Sequence, residues 1–426
     1  MKSSTTSKTL LSLLLAAVFC LSMMVPGLAA GTQTTGQVDA ITSASQSSTS
    51  GKLYASGSGT RSDPWHIQNA TQFANIAENL GGYYVLDNDI DFSKVDDWTP
   101  VGEFESDSMM SEEANTEPSF HGKLDGKGHT LKNLTLDAGT LSSTPVGIFG
   151  CVAGNGLIKN VVLKNIKVSG GQQVGALVGV ICGKATLKNI QAASKVRTSG
   201  IMMVGGIVGG ANTSKTLAGL KGKANVTMKG AYIMNAAGIL IGGAEGTNLA
   251  DCHATGGTLT VTGKKADSIG GLAGCAFDSA SVKNCSAENV TIKVEKDCAL
   301  IGGLLGQSGT VDGIDDASKA TKISGCTVKN VKIQATDGSE RIGMLIGGGY
   351  YRTIFSFMYS EPSAYKISNC SVNGTITGGK YVGAVVGYNG KNCSVKNCKS
   401  NVKWNGKKLS KQVGTTIDDT PVSELM

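Results

Sequence analysis

A glycine-framed apolar segment recurs eight times from residue 146 onward, and this repeat limits the possible folds more than any other feature of the chain. Successive leading glycines are 28, 30, 33, 32, 32, 41 and 40 residues apart. A period near 30 residues is typical of solenoids, in which each copy is one supersecondary unit stacked on its neighbours. The leading glycines are Gly147, Gly175, Gly205, Gly238, Gly270, Gly302, Gly343 and Gly383.

Two further phrases follow most copies, for example Val-Lys-Asn-Cys at 282–285 and Val-Thr-Ile-Lys-Val at 290–294. The alternating pattern and the 59 glycines exclude helical repeats, and a propeller blade needs about four strands and 40 to 50 residues. We therefore predict an all-β fold, a right-handed parallel β-helix of about eight coils, because crossovers between parallel strands are right-handed. Glycines then serve tight turns and close backbone contacts, and the Asn of the second phrase lies at a corner.

The composition changes along the chain and predicts five segments. Positive residues, an apolar stretch and then small residues begin the chain, which is typical of a signal peptide. No second apolar run of about 20 residues follows, so we predict a secreted, extracellular protein with no transmembrane segment in the mature chain, either free or associated with the cell surface. The predicted segments are a signal peptide (1–30), a flexible linker (31–56), an N-terminal capping unit with the first coils (57–145), the β-helix repeats (146–405) and a C-terminal tail or cap (406–426).

One short helix is predicted inside the capping unit. Asn69 is a candidate N-cap with Gln72 three residues later, and Gly81 follows as a stop signal. Apolar residues recur at helical spacing between them. A helix at this place would cover the strand edges and the open core at the end of a solenoid.

Five cysteines fall at one position of the repeat. In a β-helix they would form an inward ladder in which each thiol behaves as a small hydrophobe, so we predict a ladder in preference to disulfides. Stacked like residues do not converge tetrahedrally, so a zinc site is not expected. The five are Cys252, Cys285, Cys326, Cys370 and Cys398.

Positive charge is spread thinly over the repeats. The formal net charge is +7, and most lysines occur singly, as on a solvated face. Nucleic-acid binding requires a clustered basic stripe, so no nucleic-acid partner is predicted. The one cluster in the sequence is terminal, where a solvated end cap or a docking point for a polyanionic wall polymer both account for it. Its members are Lys396, Lys399, Lys403, Lys407, Lys408 and Lys411.

The repeat phrases closely resemble the GLUG-motif repeats of bacterial secreted and surface proteins. The matching phrases are Gly-Gly-Leu-x-Gly at 270 and 302 and Val-Lys-Asn-Cys at 282 and 395. Similar repeats occur in the non-catalytic part of IgA-specific metallopeptidases. The resemblance implies a β-helix used for surface display or adhesion, and it carries no peptidase activity because this chain has no His-Glu-x-x-His segment.

The clearest candidate binding site is an aromatic insertion in the long repeat step at 348–365. Insertions in a solenoid fall on one face and often form the binding surface. Flat Tyr and Phe rings suit sugars or a protein partner, and an Arg can pair with a carboxylate. A loop folded onto the rod to cover apolar surface explains the same residues equally well. The candidate ligand-binding residues are Tyr350, Tyr351, Arg352, Phe355, Phe357, Tyr359 and Tyr365.

Acidic segments and the capping unit supply weaker candidates. The acidic stretch 103–119 is the one place where calcium is considered, but it lacks the Asp/Asn/Gly spacing of a dedicated site, so a solvated loop is favoured and no cofactor is predicted. The other long step, 307–322, inserts a second acidic loop. Asp125, His121 and His129 are close in sequence, but a turn explains Asp125, and no catalytic site is predicted.

These observations favour a secreted, non-enzymatic surface or adhesion protein that binds a glycan or a cell-surface protein through loops on a rod. Two alternatives stay open. The first is a polysaccharide lyase or glycoside hydrolase, since β-helix active sites assemble from residues of several coils and leave no linear motif. The second is a purely structural stalk or spacer. The sequence carries no signal for an oligomeric state.

Overall fold

The computed structural model describes residues 53–104, 118–140, 142–230, 235–263, 265–278, 281–295, 297–310, 316–352 and 360–416, with side chains left out of the description at 350–362. The predicted signal peptide, nearly all of the predicted linker and most of the acidic stretch 103–119 lie outside these residues. Within them the chain is almost entirely β-structure.

The N-terminal part, up to the first glycine-framed repeat, holds α1 (Ala70–Ala74), the one α-helix among the described residues, which continues as a 3-10 turn over Asn75–Glu78. Its strands are β1 (Trp65–Ile67), β2 (Tyr83–Leu86), β3 (Ile90–Asp91), β4 (Lys123–Asp125) and β5 (Thr130–Asp137).

The next four coils contain long strands that bend. The strands of these coils are β6 (Phe149–Val152), β7 (Leu157–Ser169), β8 (Gln173–Val174), β9 (Val178–Gly183), β10 (Thr186–Gly200), β11 (Met203–Gly205), β12 (Val208–Thr213), β13 (Thr216–Ala218), β14 (Lys221–Met228), β15 (Ala236–Gly238), β16 (Ile241–Glu245), β17 (Asn248–Ala250) and β18 (His253–Val261).

The later coils are broken into shorter strands and include the two long repeat steps. Their strands are β19 (Ile269–Gly270), β20 (Ala273–Phe277), β21 (Ser281–Lys283), β22 (Ser286–Glu288), β23 (Val290–Val294), β24 (Ala299–Gly302), β25 (Leu305–Gly309), β26 (Thr321–Ser324), β27 (Thr327–Gln334), β28 (Glu340–Gly343), β29 (Ile346–Gly348), β30 (Tyr350–Arg352), β31 (Ser360–Pro362), β32 (Tyr365–Ser368), β33 (Ser371–Thr377), β34 (Lys380–Gly383), β35 (Val386–Asn389), β36 (Ser394–Lys396), β37 (Lys399–Trp404), β38 (Lys407–Leu409) and β39 (Val413–Thr416).

These strands stack as a parallel β-solenoid, as the repeat predicted. One sheet has 21 strands and is called the wide sheet below, and the other two have nine and seven strands. The seven-stranded sheet runs from β8 to β34 and the nine-stranded sheet from β6 to β39, so the coils extend into the segment predicted as a C-terminal tail or cap. Among the described residues, no helix is long and apolar enough to cross a membrane.

Equivalent residues of successive coils are in register and fill the core with like side chains. Ile269, Ile301, Ile342 and Val382 pair one above the other, and each is at most 5% exposed. This stacking of apolar residues buries a continuous core that no single coil can form alone.

The glycines let the seven- and nine-stranded sheets approach each other closely. A Cβ atom on the repeated glycine of the nine-stranded sheet would lie 2.2–2.6 Å from a backbone nitrogen of the preceding coil. Most residues in these two sheets are buried, and the outward-facing polar side chains of the coils collect on the wide sheet. The pairs are Gly209 with Val174, Gly242 with Val204, Gly274 with Ala237, Gly306 with Ile269, Gly347 with Ile301 and Gly387 with Ile342.

The Asn of the second phrase occupies a corner of the coil, as predicted. The residues at this corner have left-handed backbone angles, with φ from 51° to 67°. Two coils carry glycine there, which adopts this conformation without steric cost. The corner residues are Asn160, Asn189, Gly219, Asp251, Asn284, Gly325, Asn369 and Asn397.

The predicted helix is present and covers the N-terminal end of the core. Asn69 Oδ1 accepts the Gln72 backbone N–H at 3.0 Å, and Gln72 Oε1 accepts the Gln68 N–H at 2.7 Å, one residue earlier than in a standard capping box. Phe73 on this helix is fully buried, with ring centroids of Phe92 and Phe149 at 5.6 and 5.9 Å.

The cysteine ladder is also present, and its five members are not joined by disulfides. The first four are at most 2% exposed, and Cys398, in the last coil, is partly exposed. Each thiol donates to the carbonyl two residues earlier at 3.2–3.4 Å, so the same local contact recurs in five coils.

Candidate binding sites

The aromatic insertion begins and ends as an antiparallel hairpin that is separate from the three sheets of the rod. Tyr350 pairs with Pro362, Tyr351 with Glu361, and Arg352 with Ser360. The hairpin leaves the rod after β29 of the nine-stranded sheet and returns at β32 of the wide sheet. Phe355, Phe357 and Tyr359 lie outside the described residues.

Tyr365 does not belong to an exposed ligand-binding surface, so its assignment to the candidate site was wrong. Its side chain is 0% exposed, and its hydroxyl donates to the Tyr388 carbonyl at 3.1 Å and to Asn389 Oδ1 at 2.8 Å. Burial holds the pKa of Tyr365 well above its ordinary value. The strand Tyr365–Ser368 alternates between apolar and polar residues and pairs with Thr321–Ser324. This alternation was the signal in the sequence that Tyr365 faces inward.

The two long repeat steps meet on the rod, which the sequence did not indicate. Thr310, which precedes the acidic insertion, pairs with Ala364, and their backbone hydrogen bonds are 2.9 and 3.1 Å long. Ser363 Oγ donates to the Ser308 carbonyl at 3.2 Å. The base of the hairpin is therefore attached to the base of the acidic insertion in the preceding coil.

The residues weighed as a catalytic group in the capping unit have separate partners. Asp125 accepts from Asn160 Nδ2 at 2.9 Å and lies 3.0 Å from Lys159 Nζ. His121 Nδ1 is 2.9 Å from the Ser119 carbonyl, whereas His129 Nδ1 is 3.7 Å from Asp89. Burial raises the pKa of Asp125, but hydrogen bonds from Asn160 and Lys127 outweigh it and hold the pKa below its usual value. Asp125 therefore acts as an ionised acceptor between coils.

Three further carboxylates of the capping unit also link neighbouring segments. Asp87 Oδ1 is 2.8 Å from His66 Nδ1, Asp89 accepts the Thr130 N–H at 2.9 Å, and Asp91 accepts from Asn133 Nδ2 at 3.0 Å. Among the residues that the structure describes, no group of three or more His, Cys, Asp or Glu side chains is placed to hold a metal ion. Most residues of the stretch 103–119, where calcium was considered, lie outside the described residues.

A shallow groove of about 230 Å³ lies on the wide sheet across strands β27, β33 and β37. The register continues across it, since Thr327 pairs with Ser371 and Ser371 with Lys399. The groove follows the rod axis, because its three strands come from three successive coils. It is lined by Thr327, Val328, Lys329, Ser371, Val372, Asn373, Lys399, Ser400 and Asn401.

Comparisons with known proteins agree with the repeat pattern. Residues 266–293 and 378–405 match the GLUG motif. Halomucin of Haloquadratum walsbyi is 32% identical over 158 residues, which are 36% of this chain and 2% of Halomucin. A protein of Evansella cellulosilytica named as a Gly-rich membrane protein is 30% identical over 140 residues, which are 31% of this chain and 14% of that protein.

One solved structure is also similar over most of its length. It comes from Bacteroides ovatus and is provisionally named an immunoglobulin A1 protease, with a TM-score of 0.43, 20% identity and coverage of 85% of this chain and 87% of that one. The two motif matches fall on coils whose glycine-framed strands and corner residues are described above. The chain is thus a β-solenoid repeat protein that carries GLUG motifs.

Proposed function

We propose that this protein is a secreted, non-enzymatic adhesion protein, in which the rod presents the hairpin insertion to a glycan or to a cell-surface protein. The observation that carries the proposal is the antiparallel pairing of Tyr350–Arg352 with Ser360–Pro362, which departs from an otherwise parallel rod. The GLUG motifs and the relative named as a membrane protein support a surface role.

The residue types of the hairpin support this kind of ligand. Tyr350 and Tyr351 begin the hairpin, and Phe355, Phe357 and Tyr359 follow in the sequence. Aromatic rings offer large rigid faces for sugar rings or protein surfaces, and the Arg352 guanidinium can form paired hydrogen bonds with a carboxylate. Five aromatic residues fall within ten positions in a chain that is only 5% aromatic.

The experiment compares three proteins on a glycan array and on intact cells. The first is the unmodified chain, the second has residues 350–362 replaced by a short Gly-Ser turn, and the third has the acidic insertion 311–315 replaced in the same way. The third protein is the matched control, since both insertions are attached to the same part of the rod. We expect binding by the first and third proteins and loss of binding by the second.

Other outcomes distinguish the alternatives. Absence of binding by the unmodified chain to glycans and to cells would favour a structural spacer. Release of reducing ends or unsaturated products from acidic polysaccharides would favour a lyase or hydrolase. Equal binding by all three proteins would remove the hairpin from the binding site.

A further inference from the structure

The register of the wide sheet brings basic residues that are far apart in the sequence into one column of polar side chains, half of which are cationic. Lys167 pairs with Arg197, Arg197 with Asn225, and Asn225 with Thr258. These pairings join four successive coils, so four residues that are about 30 positions apart in the sequence are stacked side by side.

The same column continues to the last coil. Thr258 pairs with Thr291, Thr291 with Lys332, Lys332 with Thr375, and Thr375 with Lys403. All eight members of the column are at least partly exposed. At about 4.8 Å for each strand, the column is roughly 34 Å long.

Negative charge is sparse in the strands that carry this column after Lys167, which itself has Asp137 nearby. In the strands of the wide sheet from Thr186–Gly200 to Lys407–Leu409, Glu288 is the single carboxylate side chain, and it pairs with Lys329. Further lysines lie on other strands of the same sheet. Among them are Lys283 on β21, Lys322 on β26, Lys366 on β32 and Lys396 on β36. A surface with a clear excess of positive charge attracts a polymer of the opposite sign.

The groove described above gives this surface a shape suited to a chain-like ligand. Lys329 and Lys399 line it, together with the exposed side chains of Asn373 and Asn401. It lies on the strands that carry the last part of the column, β27, β33 and β37, and it follows the rod axis.

We propose that the wide sheet binds a linear acidic polysaccharide, laid along the rod axis, through the column from Lys167 to Lys403 and the adjacent groove. Hydroxyl, amide and cationic side chains occur together there and can pair with sugar hydroxyls and carboxylates. This surface is separate from the hairpin, so the inference goes beyond the proposed function.

A polysaccharide fits this surface better than a nucleic acid does. Proteins that bind single-stranded nucleic acids stack the bases on exposed aromatic side chains. In the strands that carry the column and the groove, Trp404 is the single aromatic residue, and its Nε1 donates to the Gly378 carbonyl at 2.9 Å. The exposed residues of these strands therefore offer charge and hydrogen bonds but few flat apolar faces.

The test uses polygalacturonate as the acidic probe, dextran as the neutral probe and poly(dT) as the nucleic acid. One variant carries R197E, K332E and K403E on the column. The control variant carries K94E, K215E and K391E, which change the net charge equally at exposed lysines outside the strands of the wide sheet. Far-ultraviolet circular dichroism and the thermal midpoint of each variant establish that the rod is folded.

We expect the unmodified chain to bind polygalacturonate more tightly than poly(dT) and not to bind dextran. The column variant is expected to lose at least tenfold in affinity for polygalacturonate, and the control variant less than twofold. The affinity should also fall steeply with salt, because bound counterions are released. An equal loss in both variants, tighter binding of poly(dT), or no binding of polygalacturonate at low salt would each overturn the proposal.

Discussion

Asn189 donates from its side-chain nitrogen to Asn160 Oδ1, 3.2 Å away in the preceding coil, and Asn160 donates in turn to Asp125 at 2.9 Å. One polar side chain from each of three successive coils thus joins a single hydrogen-bonded chain along the corner. The backbone of Asn189 is left-handed, with φ at 54°, while the next coil has Gly219 at the same place. The corner therefore requires a residue that accepts this conformation, and a side-chain amide adds bonds between coils.

Replacing Asn189 with Val should cost more stability than replacing it with Gly. A left-handed backbone at a β-branched residue lowers the free energy of unfolding by about 1–2 kcal/mol. The lost hydrogen bond lowers it by about 1 kcal/mol more in both variants. We expect a loss of about 2–3 kcal/mol for N189V and about 1 kcal/mol for N189G, measured by urea unfolding. Equal losses would show that the backbone angle does not determine the residue at this corner.

Two adjacent glycines of the nine-stranded sheet should respond differently to alanine. A Cβ atom on Gly209 would lie 2.6 Å from the Val174 backbone nitrogen, whereas the nearest atom to one on Gly210 would be Met203 Sδ in a flexible side chain, at 3.3 Å. We expect G209A to lose more than about 3 kcal/mol or to fail to fold, because a rigid backbone cannot move aside, and G210A to lose less than about 1 kcal/mol. The thermal midpoints of the two variants check this, and similar midpoints would contradict it.

Glu245 should make the protein less stable as the pH rises. Burial, together with the nearby Asp278 carboxylate, raises the pKa of Glu245 to about 7 from its ordinary value of 4.5. Between these two values the folded state holds more protons than the unfolded state, so the free energy of unfolding falls as the pH rises through this window and is level above it.

The Glu245→Gln variant should lack this dependence and be the more stable protein at pH 8, by at most about 3 kcal/mol. Urea unfolding at pH 5, 6, 7 and 8 measures the difference. Unfolding curves that shift in parallel with pH for both proteins would contradict the assignment to Glu245.

Buried thiols should be unreactive in the folded protein. Burial raises the pKa of the Cys275 thiol to about 12, and Cys252 and Cys285 are at most 1% exposed. We expect iodoacetamide at pH 8 to leave these three thiols unlabelled in the folded state and to label them in urea, as read by mass spectrometry of peptides. Labelling of Cys252 and Cys285 without urea, or disulfides between successive coils, would contradict the buried ladder, and labelling of Cys275 would contradict its burial.

Substitutions of Tyr365 and Tyr351 should affect different properties. The first should change the stability of the protein, and the second should change ligand binding. Y365F removes the donor to Tyr388 and Asn389 and should cost about 1 kcal/mol while hairpin-dependent ligand binding is unchanged. Y351A should weaken that binding while leaving the thermal midpoint within about 2 °C. Reduced binding by Y365F alone would restore Tyr365 to the ligand site.

The fold could be predicted from sequence because the residues that determine it repeat. The spacing of Gly270 and Gly302 and the corner residue Asn284 each recur at one position, and a solenoid stacks each of them on its own kind. The capping helix was predicted as readily, since Asn69 and Gln72 are a local signal. The repeated glycines also indicated close backbone contacts, but which two sheets approach each other becomes visible only when the coils are placed together.

The candidate sites were less predictable because a solenoid brings together residues from different coils. Lys332 and Lys403 are about 70 residues apart in the sequence, yet Thr375 alone separates them in their column. The pairing of Thr310 with Ala364 also joins two insertions that are more than 50 residues apart. For Tyr365 two signals in the sequence disagreed. The alternation of its strand indicated an inward side chain, whereas the aromatic residues of the preceding insertion indicated a binding surface.

The glycines that face the preceding coil have a consequence for how the rod is assembled. Leu305 and Gln307 flank Gly306, and a slip of one residue would press either side chain against the backbone at Ile269, where even a Cβ atom does not fit. Each finished coil therefore accepts the next one in a single alignment. A chain that emerges from its N-terminus can fold in order on the coil already formed, and the number of coils can change by duplication without altering how any two neighbours fit.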